Sequence, residues 1–141
     1  MSAVRLCLLP LLRERYSDAR YEDADPELVV AFAGPGEVGD LEVWEEGDVA
    51  TVVVGRLTHT HFNGYDSYPC PAGTPKDEVV RRVAKEVLKF LEDFFAERIV
   101  LWKKSSDGGV SLGPIEAMPE PAADGSLVCY TWKGRLNPKA G

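Results

Sequence analysis

The strongest constraint on the fold is a pair of strand-like runs, residues 41–46 and 49–57, that flank the dipeptide Gly47-Asp48. The second run is rich in Val, and the first contains Val and Trp, which are residue types enriched in β-strands. A Gly-Asp pair suits the two-residue turn that joins adjacent antiparallel strands. We therefore predict a β-hairpin at this point of the chain.

A two-residue turn also fixes the register of the hairpin, because each residue before the turn then faces one residue after it. Leu41 is predicted to pair with Val54, and Val43 with Val52. Cross-strand partners share one face of a sheet, so these four side chains predict a core-facing side. The opposite face is predicted to carry Glu42, Trp44, Glu46, Thr51 and Val53.

A second pattern predicts a long amphipathic helix over residues 74–97, where apolar residues recur at spacings of three and four. Thr74 is the predicted cap, Pro75 the first helical residue, and Asp77 a carboxylate in the first turn. A shorter helix is predicted over residues 9–19.

Further apolar runs predict strands at residues 28–32, 99–103, 110–112 and 127–132. The Pro- and Ala-rich stretch at about 114–125 is predicted to be a surface loop before the last strand. The order of elements predicts an α+β fold, in which one long and one short helix pack on a largely antiparallel sheet of five to six strands. A chain of 141 residues fits one such domain.

The net charge is −7 and is unevenly distributed, since residues 1–48 hold 12 acidic and 4 basic side chains. An acidic surface repels the phosphates of nucleic acids and of anionic membranes, so neither is an expected partner. A basic protein is the partner class that this charge favours.

Three cysteines without a CxxC motif are typical of a reducing compartment rather than of a disulfide framework. The apolar run near the N-terminus is short and is interrupted by Arg5 and Pro10, so it predicts neither a signal peptide nor a membrane span. We therefore expect a cytoplasmic protein.

The two histidines of the chain, His59 and His61, are separated by a single residue. Residues two apart in a strand point to the same face, so the two imidazoles would lie side by side, as a metal ion requires. Asp66 or Cys70 would supply a third ligand, and Zn²⁺ or a similar divalent ion is the expected cofactor of such a site. The favoured interpretation is that the histidines bond to backbone or water and hold no cofactor, and the metal site is the alternative.

The orientation of the histidines depends on the strand register after Gly55. Counting along the chain places them on the face opposite Val52 and Val54. A bulge at Gly55 would instead turn both histidines toward the core.

Trp44 lies on the polar face of the predicted hairpin, close to several acidic residues. An aromatic side chain ringed by acids is a suitable anchor for a basic protein. In the alternative interpretation the first helix covers this face, and Trp44 belongs to a second core. The predicted partner-binding residues are Glu42, Trp44, Glu45, Glu46 and Asp48.

A set of segments is distinctive in combination: GDLEVW at 39–44, Gly47-Asp48, Gly55, THTHF at 58–62 and FLEDFFAER at 90–98. Together they resemble small, uncharacterised bacterial proteins, some of which are suspected immunity proteins encoded beside toxin genes. The resemblance covers about residues 9–103 and implies no catalytic residues.

Two classes of function are therefore predicted. The acidic first third, Trp44 and the lack of a recognisable catalytic set favour a non-enzymatic protein-binding module, immunity-like, that masks a basic surface. The alternative is a small metal-dependent, hydrolase-like enzyme, in which an ion at His59 and His61 activates water.

Overall fold

The computed structural model describes residues 3–21, 27–36, 38–46, 49–63, 73–105 and 109–137. Its helices are α1 (Ala3–Arg15) and α2 (Lys76–Phe95), and a 3-10 helix spans Ile115–Ala117. The first four strands are β1 (Leu28–Phe32), β2 (Leu41–Glu46), β3 (Val49–Val54) and β4 (Thr58–Phe62). The last four are β5 (Ile99–Lys104), β6 (Ser111–Pro114), β7 (Leu127–Thr131) and β8 (Gly134–Leu136).

The described strands form two antiparallel sheets of four strands each, in the orders β1-β2-β3-β4 and β6-β5-β7-β8. The α+β class is confirmed, whereas the predicted single sheet of five to six strands is wrong. Side-chain alternation identifies a strand but not its neighbour, because partner choice is decided by packing across the whole chain. Here α2 separates the two groups of strands in the sequence.

The β2–β3 hairpin has the predicted register, with Leu41 paired to Val54 and Val43 to Val52. These four side chains are fully buried, as predicted. The Gly47-Asp48 turn lies outside the described residues.

Strand β4 adds to the hairpin with Thr60 opposite Val52 and His59 opposite Val53. Gly55 lies in the turn between β3 and β4, with a φ of 52°, and does not form a bulge within a strand. The histidines therefore lie on the face opposite Val52, as counting along the chain predicts.

Helix α1 begins at Ala3, so the predicted bounds of 9–19 are displaced toward the C-terminus. Pro10 lies inside this helix, where a proline removes a backbone hydrogen bond and is unfavourable. The helix persists because Val4, Leu8 and Leu12 are completely buried in the core, and tertiary packing outweighs local propensity.

Helix α2 lies where the apolar periodicity predicts it, and it packs against α1, β3, β4 and β5. Pro75 occupies the cap position and makes no side-chain capping hydrogen bond, so the cap lies one residue after the predicted Thr74. Among the described residues, one buried cluster joins both helices, the inner face of the first sheet and Leu101 of the second sheet. No helix in these parts of the chain is long and apolar enough to cross a membrane.

Candidate functional site

The side of the first sheet turned away from α2, which we call the outer face, carries most of the side chains that the sequence singles out. Strand pairing arranges the described residues of this face in two rows. Neighbouring strands are about 4.8 Å apart, so adjacent members of a row are in lateral contact. The first row is Leu28, Trp44, Thr51 and His61, and the second is Ala31, Glu42, Val53 and His59.

Trp44 lies on β2, inside the sheet rather than at its edge, and its side chain is half-buried. In the described part of the chain, neither Trp44 nor Val53 belongs to the buried core or packs against it. Helix α1 packs on α2, and its buried side chains join the core at the inner face of the sheet. It therefore does not form a second core over Trp44.

The predicted partner-binding residues do not share one surface. Glu42 accompanies Trp44 on the outer face and is half-exposed, whereas Glu45 pairs with Ala50 on the inner side and is 6% exposed. Successive residues of a strand point to opposite faces, which explains the separation of Glu45 from Trp44. Glu46 pairs with Val49, but its side chain and the whole of Asp48 lie outside the described residues.

The two histidines are neighbours on the exposed end of the outer face. Their ring centroids are 5.1 Å apart, with an angle of 72° between the ring planes. Nδ1 of His61 lies 2.8 Å from Oγ1 of Thr51, which is 6% exposed. Because its packing holds the threonine in place, this hydrogen bond restrains the His61 ring and leaves Nε2 for another partner.

The other two predicted metal ligands, Asp66 and Cys70, lie outside the described residues. Among the residues that are described, no group of three or more His, Cys, Asp or Glu side chains is placed to hold a metal ion. The structure thus places His59 and His61 together and gives no position for a third protein ligand.

An aromatic groove of about 420 Å³ at the C-terminal ends of both helices is a feature that sequence reasoning missed. The rings of Tyr16 and Phe32 meet edge to face, with their centroids 5.2 Å apart. The ring centroids of Phe95 and Trp132 are 5.0 Å apart. Burial raises the pKa of the Tyr16 hydroxyl, against the opposing effect of Arg15, so the phenol is neutral at physiological pH. Each aromatic residue belongs to a different segment, so no local pattern predicts the groove.

A second groove, of about 300 Å³, runs between β4 and α2. Oε1 of Glu86 is buried along it and has no hydrogen-bond partner among the described residues, an arrangement that is costly for a carboxylate oxygen. Lys89, which also lines the groove, pairs instead with Asp93 at 3.1 Å.

Comparisons with protein-family models, with curated proteins and with solved structures give no match for this chain.

Proposed function

We propose that the protein is a non-enzymatic binding module that masks a basic surface of a partner protein with the outer face of its first sheet. The observation that carries this proposal is the position of Trp44. It is half-exposed within the sheet, beside Glu42, on the face opposite the buried core side of the β2–β3 hairpin.

Trp44 is suited to be the anchor of an interface. Its indole presents a large, rigid apolar surface that loses little conformational entropy when a partner covers it. On the adjacent strand Thr51 lies directly opposite Trp44, and Val53 lies opposite Glu42 on the same face. Tryptophans in such central positions are frequently the residues that dominate the binding energy.

Glu42 and the charge of the chain supply the preference for a basic partner. Glu42 lies on the same strand and face as Trp44, so a cationic side chain that pairs with it would also contact the indole. The net charge of −7 would accelerate association with a basic protein at low salt. The immunity-like role implied by the sequence resemblance is one function that this surface would serve.

The test begins with capture of partners from the native host on immobilised wild-type protein, followed by purification of the captured protein and titration of the purified pair. We expect Trp44→Ala to weaken binding by about 2 kcal/mol or more, as the loss of a central aromatic anchor does. Glu42→Gln should slow association and reduce its dependence on salt, because it removes a charge.

Two variants away from the outer face serve as controls. Leu6→Ala removes an apolar side chain that is 62% exposed on α1, and Glu116→Gln removes an exposed charge in the 3-10 helix. Both should leave the affinity unchanged. If Trp44→Ala and Glu42→Gln bind the partner as the controls do, the outer face is not the binding surface.

A further inference from the structure

We propose that His59 and His61 form an open two-imidazole site for a divalent transition-metal ion, and that Thr51 orients one of the two ligands. This site goes beyond the proposed binding function and does not depend on it.

The first observation that supports this site is the distance between the two imidazole rings. A zinc–nitrogen bond of about 2.0–2.1 Å places the ion about 3.2 Å from the centroid of each bound ring. Two such rings, held at the tetrahedral angle, have centroids about 5.2 Å apart. The observed centroid distance between His59 and His61 is 5.1 Å. The strand therefore holds the two imidazole rings at the separation that a shared ion requires.

The second observation is the hydrogen bond between His61 and Thr51. A histidine that binds metal through one ring nitrogen usually donates a hydrogen bond from the other, which sets the tautomer and the ring orientation. In His61 the Nδ1–H would donate to Oγ1 of Thr51, across the observed 2.8 Å, and Nε2 would keep its lone pair for the ion. Thr51 is almost fully buried, so the acceptor is fixed before the ion arrives.

The surroundings indicate the kind of ion and the kind of site. Imidazole nitrogens favour zinc, copper and nickel over magnesium and calcium, which prefer oxygen ligands. Both histidines are exposed, so the ion would have free access from solvent. Since the described residues offer no third ligand, the remaining coordination positions would be filled by water or by a donor atom of a bound molecule.

Zn²⁺ binding to the untagged full chain tests the proposal, with equilibrium dialysis for stoichiometry and NMR of the imidazole ring protons for location. The chain contains two histidines, so one substitution assigns both ring signals. We expect one ion per chain and Zn²⁺-dependent shifts of both rings. His59→Ala or His61→Ala should each abolish stoichiometric retention.

Threonine variants test the orienting role separately. Thr51→Val should weaken Zn²⁺ binding by about tenfold, as loss of an orienting hydrogen bond does, while Thr51→Ser should restore it. Thr60→Val is the matched control, because Thr60 lies between the two histidines and faces the other side of the sheet. It should bind Zn²⁺ as the wild type does.

Absence of Zn²⁺ retention by the wild type would overturn the site, as would retention by His59→Ala or His61→Ala equal to that of the wild type. Equal affinities of Thr51→Val and Thr60→Val would overturn the role of Thr51. All of these measurements are made without a partner protein. A negative Zn²⁺ result would therefore rule out the metal site and leave the proposed binding function unaffected.

Discussion

The hydroxyl of Thr131 donates a 2.9 Å hydrogen bond to Oε1 of Glu97, which links β7 of the second sheet to the end of α2. Glu97 has a φ of 62°, in the left-handed region that favours glycine. The amides of Glu97 and Arg98 donate to the carbonyls of Phe94 and Asp93, which forms a Schellman motif. Glu97 thus terminates the helix and also ties the helix to the second sheet.

Substitutions of Glu97 should separate these two contributions. Glu97→Ala loses the bond to buried Thr131 and keeps the left-handed backbone, so we expect it to lower the free energy of unfolding by about 1–2 kcal/mol. Glu97→Gly loses the same bond but relieves about 1 kcal/mol of backbone strain, and it should be the more stable variant. Urea denaturation measures both values. A glycine variant no more stable than the alanine variant would contradict this account.

Gly55 is predicted to tolerate no side chain. Its φ is 52°, its amide donates to the carbonyl of Asp40 at 2.7 Å, and an added Cβ would overlap the carbonyl oxygen of Val38. Gly55→Ala should therefore lower the free energy of unfolding by more than the roughly 1–2 kcal/mol that left-handed backbone strain alone would account for. Gly125→Ala is the control, because Gly125 has a φ of 81° but nothing within 4 Å of an added Cβ. Similar urea midpoints for the two variants would exclude a steric cost at Gly55.

The features that the sequence predicts correctly are those determined by neighbours in the chain. The pairing of Leu41 with Val54 follows from a short turn and the two-residue period of a strand. The position of α2 follows from its apolar periodicity. The outer-face position of Trp44 follows from the same counting. The sequence leaves the orientation of the two histidines open, because a bulge at Gly55 would reverse it, and the pairing of β4 with β3 decides it.

The features that the sequence does not predict depend on contacts between distant segments. Strand β5 pairs with both β6 and β7, and nothing in the local pattern separates this sheet from the first one. Thr51 approaches His61 only after β4 has paired with β3, so their hydrogen bond has no sequence signature. The predicted bounds of α1 are displaced for a related reason, because the packing of Leu8 and Leu12 keeps the chain helical on both sides of Pro10.

One substitution made on opposite faces of β3 tests the register directly. Val52 is completely buried and Val53 is half-buried on the outer face. Replacement of valine by threonine keeps the shape and β-branching but adds a hydroxyl. Val52→Thr should lower the free energy of unfolding by about 1–3 kcal/mol, because the hydroxyl would be buried in the core. Val53→Thr should change it by less than about 0.5 kcal/mol. If urea denaturation gave the same loss of unfolding free energy for both variants, the assignment of Val52 and Val53 to opposite faces would be wrong.

The carboxylate of Asp93 should make the stability depend on pH in acid. Burial raises its pKa, but hydrogen bonds from Arg98 at 2.9 Å and Lys89 at 3.1 Å outweigh this effect, so the pKa lies below the ordinary value of 3.8. A carboxylate with a lower pKa in the folded state stabilises the fold above its unfolded-state pKa, and this contribution is lost as the pH falls through the folded-state pKa.

Urea denaturation of the wild type and of Asp93→Asn at a series of pH values measures this effect. The wild type should be the more stable protein by a constant margin near neutral pH, and the margin should shrink below about pH 4. Arg98→Gln serves as the comparison variant, because it keeps the carboxylate but removes the nearer cation. Its stability should fall less in acid than that of the wild type. A margin between wild type and Asp93→Asn that stays constant down to about pH 3 would show that Asp93 has the same proton affinity in the folded and unfolded chains.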